Sequence, residues 1–183
     1  LLRCVTPYSN FVYLLLVYTC GLRLNEAVNL EVSDIDRKRM LIHIHRGKGA
    51  KDRFVPLPNT TLKHLERYWL SHRNKRFLFP KTQTKKKYKT PIKGDAIEPI
   101  HKSVPQAAVR AALKKTNINK RHVTVHTLRH CYATHLLESG VNLRYIQIFL
   151  GHSVIESTLV YLHLTVAGNV DAYGIIDNLM DRF

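Results

Sequence analysis

A chain of 183 residues of which 45% are hydrophobic has the means to bury one sizeable core, which excludes an intrinsically disordered segment. Lys plus Arg number 29 against 13 acids, a formal charge of +16, and an excess of that size calls for a polyanionic partner, nucleic acid first. The longest apolar run, 11–20 with Thr19 inside it, is too short to span a bilayer, and three widely spaced cysteines exclude a disulfide framework, so reduced thiols in a cytoplasmic protein are expected, with no leader peptide and no membrane partner.

In chain order, Thr6 as N-cap, Pro7 in the first turn and Gly21 as stop predict a helix over about 7–20. A shorter helix follows from near Asn25 to near Leu30, which leaves Arg23 in the tight connection between the two. Over 40–57 the period changes. Leu41, His43 and His45 alternate with Ile42, Ile44 and Arg46, and Phe54, Val55 and Leu57 make a second strand. Between them, Gly47-Lys48-Gly49-Ala50-Lys51-Asp52 is turn chemistry, so a β-hairpin with lysines at its tip is expected. Leu62, Leu65 and Trp69 share one helical face over 60–74, and 77–79 reads as a short third strand. Lys85, Lys86 and Lys87 lie in a stretch with Pro91, Gly94 and Pro99, which reads over 80–103 as an exposed basic loop. Helix returns over 104–115. Thr127 is read as the cap of a helix to Ser139 stopped by Gly140, and Asn142 as the cap of one ending near Leu150. The capping-box spacing from Ser153 to Glu156 predicts a helix that carries Tyr161 near its end. Beyond Gly168, Ala172, Ile175, Ile176, Leu179 and Met180 make an apolar helical stripe. The class is mixed α+β, mainly helical, with a small three-stranded antiparallel sheet on one edge.

Six of these residues suit chemistry on a phosphodiester. Arg23 and Arg129 offer paired donors in a planar fork that stays charged at biological pH, matched to the oxygens of a phosphate. His126 and Arg129, three apart at a helix start, share a face and reach one phosphate together. Tyr161 is one of nine tyrosines, and its phenol, with an ordinary pKa of about 10, needs a proton acceptor and cationic neighbours before it can attack. His126 is the expected acceptor. His152 stands beside the group after Gly151. Lys48 is placed to give a proton to a leaving oxygen, with Lys51 as its nearest competitor. Lys51, Arg53, Lys85, Lys86 and Lys87 are the expected contacts to the DNA backbone. Among eleven histidines, His126 with His130 and His43 with His45 have ligand-compatible spacings, but no His-Glu-x-x-His, cysteine pair or acidic cluster accompanies them, so no metal is expected. No P-loop phrase calls for a nucleotide cofactor.

The ordered set resembles the tyrosine recombinase (phage integrase) family. Residues 20–27, Cys-Gly-Leu-Arg-Leu-Asn-Glu-Ala, with Asp34-Ile35-Asp36 and Gly47–Arg53, are similar to its first box and hairpin. His126-Thr127-Leu128-Arg129-His130 with 133–137 is similar to its second box, and Leu150-Gly151-His152-Ser153 through Thr158 and Tyr161 to its nucleophile segment. The resemblance implies a catalytic domain over 1–183, metal-free and without cofactors, that cuts double-stranded DNA with Tyr161 through a 3′-phosphotyrosyl link, assisted by Arg23, Lys48, His126, Arg129 and His152. It further implies strand exchange in a homotetramer, a C-terminal helix over about 170–183 docking on a neighbouring protomer, and a bacterial or phage setting at the nucleoid. The family's N-terminal helical domain falls outside this chain, which is expected to be an isolated catalytic domain. A type IB topoisomerase uses similar chemistry, and the helices on either side of Gly140 also fit a non-catalytic helix-turn-helix protein.

Overall fold

The computed structural model describes residues 1–45, 52–81, 83–84, 91–92, 96–118, 120 and 122–162. Its centre is α1 (Tyr8–Cys20), in which Val12, Tyr13, Leu14, Leu16 and Val17 are all without exposure. A helix apolar on every side must be surrounded. Here α3 (Asn59–Leu70), α4 (Ser103–Leu113) and α5 (Val125–Glu138) pack against it. The expected Thr6 cap is not used. Pro7 is the N-cap, and its carbonyl takes the amides of Asn10 and Phe11, so the helix starts one residue later. Gly21 ends α1 in the left-handed conformation at φ 61°.

After Arg23 comes α2 (Leu24–Val28), where the Glu26 carboxylate reaches back to accept the Arg23 amide at 2.8 Å. The sheet follows as β1 (Ile35–Asp36), β2 (Leu41–Ile44) and β3 (Arg53–Pro56), antiparallel in that order, with Ile42 opposite Val55 and His43 opposite Phe54. Alternation sends Ile42, Ile44 and Val55 into the core and leaves His43 and Phe54 on the outer face.

The third strand is therefore 35–36, not 77–79. The Asp36 carboxylate accepts the Arg39 amide at 2.8 Å and closes the turn that folds β1 onto β2. Phe77, Leu78 and Phe79 are all 6% exposed or less, and their backbone contacts are scattered, with an isolated bridge from Phe77 to Glu31, the Leu78 amide on the Leu30 carbonyl, the Ile100 amide on the Phe79 carbonyl and the Phe77 amide on the Asn74 side chain. Their apolar run signals burial in the core and not membership of a sheet edge.

The segment read as one basic loop contains a second small antiparallel pair, β4 (Gln83–Thr84) with β5 (Pro91–Ile92). Its base is tied down where the Asn74 amide donates to the Ala96 carbonyl and Pro80 bridges Pro99. Lys85, Lys86 and Lys87 lie outside the described residues, as do Lys48, Lys51 and 163–183 with the expected C-terminal helix.

At α5 the cap is Thr124 and not Thr127. The Thr127 hydroxyl instead accepts the Thr124 amide at 3.0 Å, the reciprocal half of a capping box. Gly140 follows at φ 80°. Asn142 caps α6 (Leu143–Leu150) as expected, accepting the Arg144 amide at 2.8 Å, and Gly151 stops it at φ 61°. The last described helix, α7 (Glu156–Leu159), is one turn long and begins at Glu156 without a side-chain cap, so Ser153 does not start it. Tyr161 lies two residues beyond the end of α7 and packs into a small second core with Tyr132, Ala133, Ile146 and Leu150. Among the described residues no helix is long and apolar enough to cross a membrane.

Candidate active site

Two helices end against the same guanidinium group. The last carbonyls of a helix have no partner within it and carry the negative end of its dipole. Gly21 and Gly151, both turned left-handed, bend the chain away so that the Gly21 and Leu150 carbonyls face inward. Arg129, in the first turns of α5, donates to both at 2.6 Å, from Nη1 and Nη2 respectively. It is 1% exposed. Burial, and next the Arg23 charge, lower its pKa to about 10, while Glu26 opposes them, and the group remains a cation at neutral pH. A guanidinium has five donors, so two carbonyls orient Arg129 and leave N–H groups for a ligand.

Glu26 organises the other arginines. Arg23 gives its Nη1 to Glu26 Oε1 at 2.8 Å and its Nη2 to the Gly151 carbonyl at 3.2 Å. Arg53 holds the same carboxylate in a fork, Nη1 to Oε1 at 2.9 Å and Nη2 to Oε2 at 2.7 Å, and gives its Nε to the Phe149 carbonyl at 2.9 Å. Burial alone would raise the Glu26 pKa, but the hydrogen bonds and charge of Arg53, with help from Arg23, outweigh it and hold the carboxyl at about 2. Arg53, expected at the DNA backbone, thus gives donors from all three of its guanidinium nitrogens to groups of the protein. Its side chain is 7% exposed and faces inward with Val55, as strand alternation requires, and it braces the loop that carries Arg23.

A cleft of about 300 Å³ opens where these groups meet. Arg23, His126, Arg129, His152 and Tyr161 line it, so five of the six residues singled out from the sequence converge, and Lys48 lies outside the described residues. His130, Ser153 and Ser157 complete the lining. The Tyr161 hydroxyl lies 2.9 Å from His130 Nδ1. Its expected partner, His126, meets the His130 ring edge-on at 4.6 Å instead. His130 follows Arg129 directly and stands one helical turn beyond His126, a placement the helix period makes visible once the helix start is known.

His152 lies parallel to the Tyr161 ring at 6.4 Å, and its Nδ1 is 2.8 Å from the Thr158 hydroxyl. Burial, then the charges of Arg129 and Arg23, depress its pKa to about 4. Burial lowers His126 as well, followed by the influence of His130 and Arg129, and it lowers His130, with Arg129 next. Burial pushes the Tyr161 phenol up, while Arg129 and Arg23 pull it back. At neutral pH the cleft therefore holds two fixed cations, three neutral imidazoles and an un-ionised phenol.

The sequence pattern of the phage integrase family matches residues 4–167. A tyrosine recombinase of Pseudothermotoga lettingae is 39% identical over 163 residues, covering 89% of this chain and 52% of the relative. Tyrosine recombinase XerA of Pyrococcus horikoshii is 37% identical over 153 residues, covering 83% and 49%. A crystal structure of XerA recombinase superposes with a TM-score of 0.70 at 30% identity, over 91% of this chain and 57% of that one. The chain spans about half the length of these curated relatives.

Proposed function

Because this chain belongs to the phage integrase family of tyrosine recombinases, we propose that it is the catalytic part of a site-specific DNA recombinase. The observation that carries this reading is the Tyr161 hydroxyl, placed against His130 Nδ1 in the cleft that Arg23 and Arg129 line. A phosphodiester seated there would meet both guanidinium groups through its non-bridging oxygens. As the Tyr161 oxygen attacks phosphorus, negative charge grows on those oxygens, and donors already held by helix carbonyls and by Glu26 meet it without reorganising. One oriented donor of this kind is worth about 3–4 kcal/mol.

The phenol must lose its proton during the attack. Free ionisation at pH 7 would cost roughly 4 kcal/mol, and burial adds to that. The neutral His130 imidazole accepts the proton through Nδ1 as the bond to phosphorus forms. The bond from phosphorus to the 5′ oxygen breaks, and Lys48 supplies the proton to that oxygen, which leaves a 3′-phosphotyrosyl link and a free 5′ hydroxyl. His126 and His152 donate hydrogen bonds to the phosphate. Attack by another 5′ hydroxyl reverses the steps and rejoins the strand. Strand exchange needs several active sites on one DNA assembly, so the working form proposed is a homotetramer on double-stranded DNA, in the cytoplasm where that DNA is found.

A suicide substrate tests this, an oligonucleotide duplex nicked just beyond the scissile phosphate so that the short fragment carrying the new 5′ hydroxyl diffuses away and cannot rejoin. The full protein should become covalently joined to the DNA and the Tyr161→Phe variant should not. An adduct of equal yield in the variant would remove Tyr161 from the reaction.

A further inference from the structure

We propose that His43, His45 and Asp52 bind one divalent transition-metal ion, of which zinc is the reference, at the foot of the β2–β3 hairpin. His43 is on β2 and His45 directly follows its last residue, Ile44, so the two-residue spacing turns both side chains to the side opposite Ile42 and Ile44. Asp52 immediately precedes β3 and comes up beside them. Its Oδ2 lies 3.0 Å from His43 Nε2 and 3.5 Å from His45 Nδ1. One donor atom from each of the three falls within 4.8 Å of the others. Zinc held at about 2.0–2.1 Å by nitrogen and oxygen in a tetrahedron sets its ligands roughly 3.3 Å apart, so an ion enters with small side-chain movements.

The surroundings orient the donors. Asp34 Oδ1 lies 3.0 Å from His45 Nε2, and Asp34 is 8% exposed, with its other oxygen accepting the Glu31 amide at 2.8 Å. A buried carboxylate fixed in this way accepts a hydrogen bond from His45 Nε2–H and leaves the bare Nδ1 on the side of Asp52, the carboxylate–histidine–metal relation found around bound zinc. The His43 ring stacks on Phe54 at 4.6 Å and 18°, which aims its Nε2 at the same point. Charge agrees. Two carboxylates and two neutral imidazoles balance a dication, and among the described residues Arg39, over the Phe54 ring, and Arg76, which lines the same hollow as His43 and His45, have carboxylates of their own, Asp36 at 2.6 Å and Glu31 at 2.7 Å. The His45 and Asp52 side chains are about half exposed, so the ion has a path in and a water completes its shell. Two imidazoles with one carboxylate suit zinc, cobalt, nickel or copper and do not suit magnesium or calcium, which ask for oxygen.

The absence of an acidic partner in the local sequence argued against a metal here. The fold supplies that partner twice, from Asp52 across the hairpin and from Asp34 before β1. An ion at this point would pin together the two positions that flank 46–51, the segment containing Lys48. That consequence rests on the function proposed above, while the binding does not.

Calorimetric titration of metal-stripped protein with Zn²⁺ tests the site, with Co²⁺ as a visible-absorption probe of its geometry. One ion per chain is expected. Asp34→Asn should weaken binding about tenfold at the same stoichiometry, as loss of an orienting partner does. His43→Gln with His45→Gln should abolish it, and Asp52→Asn should weaken it strongly, in protein whose metal-free melting matches the parent. Should the double variant not fold, Asp52→Asn on the exposed rim decides alone. Zinc uptake unchanged in the folded variants, or none by the parent, overturns the proposal.

Discussion

Glu26 sits on a five-residue helix, yet three arginines from distant parts of the chain depend on it: Arg23 and Arg53 by direct hydrogen bonds, and Arg129 at 3.9 Å. Its pairing with Arg53 is almost wholly buried, at 7% and 9% side-chain exposure. Removing one partner of such a pair strands the other charge away from water. Arg53→Ala should therefore cost about 3–5 kcal/mol in chemical denaturation. A loss no larger than that of an exposed arginine would show that the pair is not holding the cleft. His152 makes a second prediction. Its pKa falls from the ordinary 6.5 to about 4 in the folded chain. Between those two values the unfolded chain binds the proton and the folded chain does not, so stability is full above 6.5, declines as pH drops through the window and levels off below 4. His126 and His130 are shifted the same way. Stability measured against pH should show this decline, and His152→Gln should make it shallower. An equal slope in the variant would remove His152 from the effect.

At the scale of elements, the cleft depends on how α1 and α6 stop. Both glycines are left-handed, and each is also too crowded for a side chain. A Cβ at Gly21 would run into the Tyr132 ring, and one at Gly151 would lie 2.9 Å from Arg53 Cδ. Gly151→Ala thus combines backbone strain of about 1–2 kcal/mol with displacement of Arg53. Loss of both stability and single-turnover cleavage is expected, whereas Gly140→Ala, with open space around it, should suffer the strain without the loss of cleavage. These stops were legible, because a glycine after an apolar helical run and an asparagine before the next are local signals. Arg23, His126, Arg129, His152 and Tyr161 were legible for a similar reason, each sitting in a short phrase tied to a helix end. The inward turn of Arg53 was open to the same alternation that buries Val55, but its charge and its place beside the lysines suggested DNA. What local patterns could not give was pairing at a distance. Residues 35–36 are too few to show a strand period until β2 folds against them, and the contact between Tyr161 and His130 depends on packing across a separation of 31 residues.

For the whole molecule, a charge of +16 sets the expected response to salt. Each phosphate contact contributes a slope of about −0.9 in log affinity against log salt. Replacing Lys85, Lys86 and Lys87 by alanine should flatten that slope by up to about three contacts if the basic segment lies along DNA, and leave it unchanged if the segment only faces solvent. Filter binding across a salt series distinguishes the two. The family relationship, the converging cleft and the basic surface lead to one central claim, that residue 161 becomes the point of covalent attachment to DNA. Mass spectrometry of the trapped complex, after nuclease and protease digestion, reads that point directly. The account predicts a nucleotide on the peptide containing Tyr161 and on no peptide from the other eight tyrosines. A nucleotide found elsewhere, with the Tyr161 peptide unmodified, would contradict it.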